Sequence, residues 1–223
     1  MSVLEVKHVT KTFGHNTNEV TVLTDVNFTA AAGEVSLVIG PSGSGKSTFL
    51  TIAGGIQTPT DGDVVVQGNG LAQLSGKARD ALRLNHIGFI LQAYNLVPYL
   101  TVKDQFALVD RVKPKGNLSA TDLRHLLEKL GISQLINQYP AELSGGQTQR
   151  VAIARALYQN PDIILADEPT AALDSERVKV VGQLLHDLAK EHNKAIVVVT
   201  HDLRLKEFAD KTYAIMDGKM TVA

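Results

Sequence analysis

The sequence predicts an α/β fold: a mixed parallel sheet covered by helices, with an antiparallel β flank and an inserted helical subdomain. Three observations carry that expectation. Residues 3–9 (VLEVKHV) and 20–28 (VTVLTDVNF) alternate apolar and polar positions, as half-buried antiparallel strands do. Four later stretches, EVSLVIG (34–40), HIGFILQ (86–92), DIILADE (162–168) and AIVVVTH (195–201), are short and nearly continuous in apolar character. That suits strands buried on both faces of a sheet. Helical patterns over 46–54, 146–158, 175–191 and 203–209 separate or follow them.

The pattern changes between Gln92 and Ser144. NLVPYLTVKDQFALVDRV and SATDLRHLLEKLGI read as helices and loops without a strand, Ser119 with Asp122 resembles a capping box, and Pro98, Pro114 and Pro140 mark bends. The expected organisation is one domain over 1–223. Residues 1–92 and 151–223 form the sheet core and flank, and 93–150 form the helical subdomain.

Composition narrows the function classes. The 22 basic and 23 acidic residues leave a net charge of −1, against the strong basic bias of a dedicated nucleic-acid binder. There is no cysteine, hence neither a disulfide framework nor a thiolate metal site. The first residues, MSVLEVKHVTKTFG, alternate like a strand and lack a signal peptide's apolar core. The longest apolar runs, such as AIVVV, are far too short to span a bilayer. The expectation is a soluble chain that inserts into no lipid directly and meets any membrane through a partner.

Chemistry concentrates in two glycine-rich loops and three strand ends. Gly40-Pro41-Ser42-Gly43-Ser44-Gly45-Lys46-Ser47 fits G-x-x-x-x-G-K-[ST], between an apolar strand and a helix. Its backbone N–H groups should wrap phosphates, Lys46 should reach the β- and γ-phosphates, and the Ser47 hydroxyl should hold Mg²⁺. This makes the expected core that of a P-loop NTPase. DIILADEP ends in Asp167, the expected second Mg²⁺ partner, and Glu168, free to orient or deprotonate a water. His201 could donate to a γ-phosphate and Gln92 could bridge metal or water, although a polar strand terminus alone accounts for either residue. All these groups would share the C-terminal edge of one sheet, where open α/β sheets bind ligands. The second loop, ELSGGQTQR (142–150), opens a helix with two glycines but carries no lysine to grip a phosphate.

The order P-loop, Gln92, LSGGQ, ILADEP, AALD, THD along the whole chain resembles the ATP-binding cassette (ABC) ATPase subunit of membrane transporters. The resemblance implies an ATPase that binds ATP over Gly40–Thr48, with Phe13 stacking on adenine. It implies Gln92 as the lid glutamine, Ser47, Gln92 and Asp167 around Mg²⁺, and Glu168 as the base. His201 would be the switch histidine, and Asp174 would lie in a loop crossing to a partner. It further implies a head-to-tail homodimer in which Ser144, Gly145, Gly146 and Gln147 of one chain close the site around Lys46 of the other. Thr148 and Ala171 depart from the usual pattern, away from any phosphate ligand.

Within the family the chain is similar to the macrolide- and lipoprotein-exporter type. GFILQAYNLVPYLTVKDQFALV and THDLRLKEFADK look like the ATPases of bacterial haem-efflux transporters. That resemblance implies haem export through an integral membrane permease at the cytoplasmic face of the cell membrane. Export of a macrolide, peptide or lipoprotein is the rival. The permease's cytosolic helix would dock near 92–105, at Tyr94, Leu96, Val97, Pro98 and Tyr99, unless these residues are the lobe's own core. Cassettes acting on DNA carry a coiled coil or zinc insertion, ribosome-associated ones carry two cassettes, and regulatory ones lose Glu168 or Lys46. This chain has none of those features.

Overall fold

A computed structural model describes residues 2–14 and 18–223. Six strands form the main sheet in the order β10-β9-β3-β8-β7-β6. The strands β3 (Val35–Ile39), β6 (Ile87–Ile90), β7 (Ile163–Asp167), β8 (Ala195–Thr200) and β9 (Lys211–Met216) run parallel, and β10 (Lys219–Val222) closes the edge antiparallel to β9. A four-stranded antiparallel sheet, β2-β1-β4-β5, packs beside it. It contains β1 (Ser2–Phe13), β2 (Val20–Ala31), β4 (Asp61–Val66) and β5 (Asn69–Gly70).

The apolar strands are buried on both faces, and successive residues supply two separate cores. Val197, Val199 and Leu165 face α1 (Lys46–Ala53) and the antiparallel flank, joining Phe49, Leu50, Leu4 and Leu23. Ile196, Val198 and Ile164 face the other way, onto α5 (Gly145–Tyr158) and α6 (Ser175–His192), with Val151, Val181 and Leu185. The helical lobe adds α3 (Val102–Val112) and α4 (Ala120–Lys129), whose Phe106, Val109, Leu126 and Leu127 extend that second core. Thr101 and Asp104 complete a capping box on α3. At α4 the Ser119 hydroxyl caps Asp122 N–H, but the Asp122 carboxylate takes the Ser119 hydroxyl rather than its backbone N–H.

Four features depart from the sequence reading. Helix α5 runs unbroken through residue 150, where the sequence placed the end of the helical subdomain. Helix α2 (Gly76–His86) lies within the 1–92 segment, between the antiparallel strands and β6. The turn at Leu203–Phe208 is 3₁₀ rather than α-helical. The strands β4, β5, β9 and β10 are additional to those read from the sequence.

Candidate functional site

Four parallel strands, β3, β8, β7 and β6, end beside one another at their C-terminal edge, and the residues at their ends line a cleft of about 530 Å³. Ser42, Gly43, Gly45, Lys46, Ser47 and Thr48 enter it after β3. Asp167 and Glu168 enter from β7, His201 from the end of β8, and Gln92 from just beyond β6. This gathers the P-loop, both carboxylates, the histidine and the glutamine into one site.

The loop's backbone suits an anion. Gly45 is the N-cap of α1, with φ 102° and no side chain capping the helix, so the first-turn N–H groups face the cleft without a protein acceptor. A Cβ on Gly43 would meet no atom within 4 Å, so the loop is open where phosphates would lie. Lys46 is buried and donates to the Gly40 and Pro41 carbonyls, both at 2.8 Å. The buried Ser44 hydroxyl has no protein partner among the described residues. Gly40 has no spare room: a Cβ there would stand 2.3 Å from the Ile215 carbonyl oxygen and 2.8 Å from Ser44 Oγ. Gly40→Ala is therefore expected to cost about 1–3 kcal/mol of stability, read as a lowered urea midpoint.

Glu168 is the most constrained residue of the cleft. Its φ is +49°, in a region that L side chains rarely adopt, and it is nearly buried. Oε2 accepts from Thr200 Oγ1 at 2.6 Å, and Oε1 accepts from His201 N–H at 3.1 Å and pairs with His201 Nδ1 at 2.8 Å. Thr200 is itself fully buried and accepts the Asp202 N–H. Gln149 of α5 donates to the Glu168 carbonyl at 3.0 Å and accepts the Ala172 N–H at 3.1 Å, fastening the turn after β7 from below. Thr200 and Gln149 were not singled out in the sequence. The only signal was adjacency, Thr200 to His201 and Gln149 to the glycine loop.

Asp167 is desolvated, and burial pushes its carboxyl up from the usual value; Glu168 adds to this, while the Ser47 hydroxyl and Lys46 oppose it. Ser47, Gln92 and Asp167 offer a hydroxyl, an amide and a carboxylate oxygen, a hard donor set of the kind Mg²⁺ takes alongside phosphate and water. With a single carboxylate the protein would hold the ion weakly alone, and no cluster of three His, Cys, Asp or Glu suited to a metal occurs among the described residues.

Phe13 does not line this cleft. It ends β1 with its ring partly exposed and Lys11 Nζ 5.0 Å from its centroid. The second glycine loop lies apart too. Ser144, Gly146, Gln147, Arg150, Ala172, Asp174 and Arg177 line a pocket of about 320 Å³ that shares no residue with the P-loop cleft. Here the helix is capped: Ser144 Oγ accepts the Gln147 N–H at 3.3 Å, and Gln147 Oε1 accepts the Ser144 N–H at 2.8 Å. Gln147 thus shapes the loop, while the Gly145 and Gly146 N–H groups have no acceptor among the described residues. Asp174 caps α6 and pairs with Arg177; the Arg177 N–H, more than its guanidinium, holds the Asp174 carboxyl below its usual value.

A larger groove of about 590 Å³ opens between α2, α3 and α5. Its walls are mainly apolar, with Ile56, Leu84, Phe89, Leu108 and Val112 beside Tyr94, Asp80 and Arg83. It holds none of the phosphate-binding groups. Of the residues expected at a docking surface, Tyr94 reaches it, Leu96 packs on the second core, and Tyr99 is 86% exposed elsewhere.

The model of the ABC transporter family matches residues 23–171. The chain is 44% identical over 218 residues to HrtA of Staphylococcus haemolyticus, by name a hemin import ATP-binding protein, covering 97% of this chain and 98% of that one. It is 43% identical to HrtA of Staphylococcus aureus, over 98% of this chain and 99% of the other. Among solved structures, a dimeric bacterial ABC transporter cassette superposes with a TM-score of 0.90 at 39% identity, over 97% of this chain and 95% of that one. The same cassette as a dimer in a post-hydrolysis state with ADP and Pi gives 0.88 at 39% identity, over 98% of each chain.

Proposed function

The chain belongs to the ABC transporter family as an ATP-binding, ATP-hydrolysing domain, and from that premise we propose that it powers the export of haem through a membrane permease. The observation that carries the catalytic part is the convergence of Lys46, Ser47, Gln92, Asp167, Glu168 and His201 on one cleft. Lys46 leaves the Gly40 and Pro41 carbonyls for the β- and γ-phosphates, while the free N–H groups of the loop and α1 take the remaining phosphate oxygens. Adenine stacks on the Phe13 face opposite Lys11. Ser47, Gln92 and Asp167 hold Mg²⁺, which when bound neutralises charge developing on the phosphates. Glu168 takes a proton from the attacking water, and His201, tethered to it, steers the γ-phosphate. The ATPase acts as a homodimer, with Ser144, Gly145 and Gly146 of each chain closing the other's site.

The groove between α2, α3 and α5 is the seat of the permease's cytosolic helix: it is apolar, open, and adjoins the segment carrying Gln92. No helix among the described residues is long and apolar enough to cross a membrane. In this reading the chain works at the cytoplasmic face because its permease partner holds it there.

Haem as cargo is supported by full-length similarity to proteins named for hemin. Their names say import; the exporter direction rests on the motif-level likeness to macrolide- and lipoprotein-exporter cassettes. Deleting the gene separates the directions. Growth inhibition at hemin concentrations that the parent strain tolerates is the expected result. Failure to use hemin as an iron source would mean import. Unchanged hemin tolerance with new macrolide sensitivity would transfer the cargo to the rival class.

A further inference from the structure

The segment that carries Gln92 is held in its shape by a side chain from the signature helix. Tyr94 and Asn95 are consecutive non-glycine residues with φ of 36° and 50°, a left-handed pair that the backbone does not favour unaided. Arg155 of α5 fastens both carbonyls: Nη2 donates to Tyr94 O at 2.9 Å and Nη1 to Asn95 O at 2.5 Å. Among the described residues Arg155 has no carboxylate partner, so its fork is committed to these two carbonyls. Burial lowers the pKa of this guanidinium, as expected of a cation taken from water for a structural task.

Arg155 and Ser144 lie on one rigid body. Helix α5 runs unbroken from Gly145 to Tyr158, with Ser144 as its cap and Val151, Ile153, Ala154 and Leu157 in the core. Arg155 follows Ser144 by eleven positions, about 16 Å at 1.5 Å per residue. A displacement of the cap is therefore carried to the Tyr94–Asn95 carbonyls without an intervening loop.

We propose that Arg155 is a positioning residue: it clamps the Tyr94–Asn95 turn so that Gln92 holds its working place, and it passes movement of the signature helix to Gln92 of the same chain. Engagement of Ser144 by a nucleotide on the partner would then tune the chain's own site. This rests on the reading of Gln92 as a ligand of the nucleotide–metal complex.

The test compares Arg155→Ala, Gln92→Ala, the double variant, and Arg155→Ala with Asn95→Gly, in the full chain with its permease. Arg155→Ala is expected to lower ATP turnover about tenfold, within the usual range of coupling between sites. Affinity for a fluorescent ATP analogue should stay within about twofold, and amide exchange over 92–96 should rise. The double variant should be no slower than Gln92→Ala alone. Asn95→Gly should restore much of the lost turnover, because glycine adopts the left-handed turn without a clamp. Losses that multiply in the double variant, or no recovery with Asn95→Gly, would overturn the clamp. A normal rate for Gln92→Ala would instead remove the Gln92 role and leave the exchange readout to judge the clamp. If Arg155→Ala melts too early to compare, Arg155→Lys takes its place. Lysine keeps the charge but cannot fork across two carbonyls, so the same loss and the same glycine recovery are expected; normal turnover and exchange in Arg155→Lys would refute the clamp.

Discussion

Glu168→Gln is expected to stop ATP turnover while leaving ATP binding intact. The local geometry keeps the shape of the site and most of its bonds. Glutamine is isosteric, and its Oε1 can still accept from His201 N–H. Its amide nitrogen would face Thr200 Oγ1, where the carboxylate Oε2 now sits at 2.6 Å. Thr200 already accepts the Asp202 N–H, and a hydroxyl has a second lone pair, so it can rotate and accept from the amide as well. The Thr200 hydroxyl proton, which the carboxylate now accepts, loses that acceptor, a cost of about 1–3 kcal/mol to be read in a thermal melt, while the left-handed backbone at position 168 is unaffected. What disappears is the ability to take a proton. Positioned general bases contribute about 10²–10⁴-fold, and a loss of that size in kcat is expected, with affinity for a fluorescent ATP analogue unchanged. Because bound ATP persists, an ATP-dependent dimer should accumulate on gel filtration. Normal turnover would show that water is activated by another group, and His201 would be next in line.

Much of this site was legible in the sequence because its parts are contiguous. The P-loop is a run of eight residues that follows β3 directly, and β7 and β8 are largely apolar runs that lead straight into Asp167–Glu168 and His201. What stayed hidden lacked a local pattern. Helix α2, GKARDALRLNH, fully buries no residue, so no apolar stripe betrays it. β9 exposes its ends and buries only Tyr213 and Ile215, too weak an alternation to separate from a loop. β4 begins DGD, which reads as a turn, yet its Val64 and Val66 pair with Val6 and Leu4 of β1. The supports of the site were the least visible. Thr200, Gln149 and Arg155 act on Glu168, Ala172 and the Tyr94–Asn95 turn through bonds spanning 19 to 61 residues of chain. Only the folded backbone brings such partners together.

The division of labour between the two glycine loops leads to the second large effect. The α1 loop has a lysine and an uncapped helix start, whereas the α5 loop has no lysine and a helix start closed by Ser144 and Gln147. Ser144 Oγ accepts from Gln147, which leaves its proton free to donate, next to the free N–H groups of Gly145 and Gly146. On the proposed reading these donors receive an anion from a neighbouring chain, and the chain's own P-loop cleft shares no residue with that pocket. Lys46→Ala and Ser144→Arg should each abolish turnover alone. The first loses the phosphate grip; the second fills the anion seat with a side chain that cannot fit, while its own P-loop still binds ATP. Loss of the Ser144 cap also costs about 1 kcal/mol, so thermal melts accompany both variants. Mixed in equal amounts, the two inactive chains are expected to recover activity. In a mixed dimer, Lys46 of the Ser144→Arg chain meets the intact Ser144 of the Lys46→Ala chain, completing one site of two. With random pairing into a two-fold dimer, half the dimers are mixed, and recovery should be on the order of a quarter of the wild-type rate. A chain that completed its own site would gain nothing from the mixture, because each partner would carry its defect into its own cleft. A mixture as inactive as its components would therefore place Ser144 outside the reaction of a neighbouring chain.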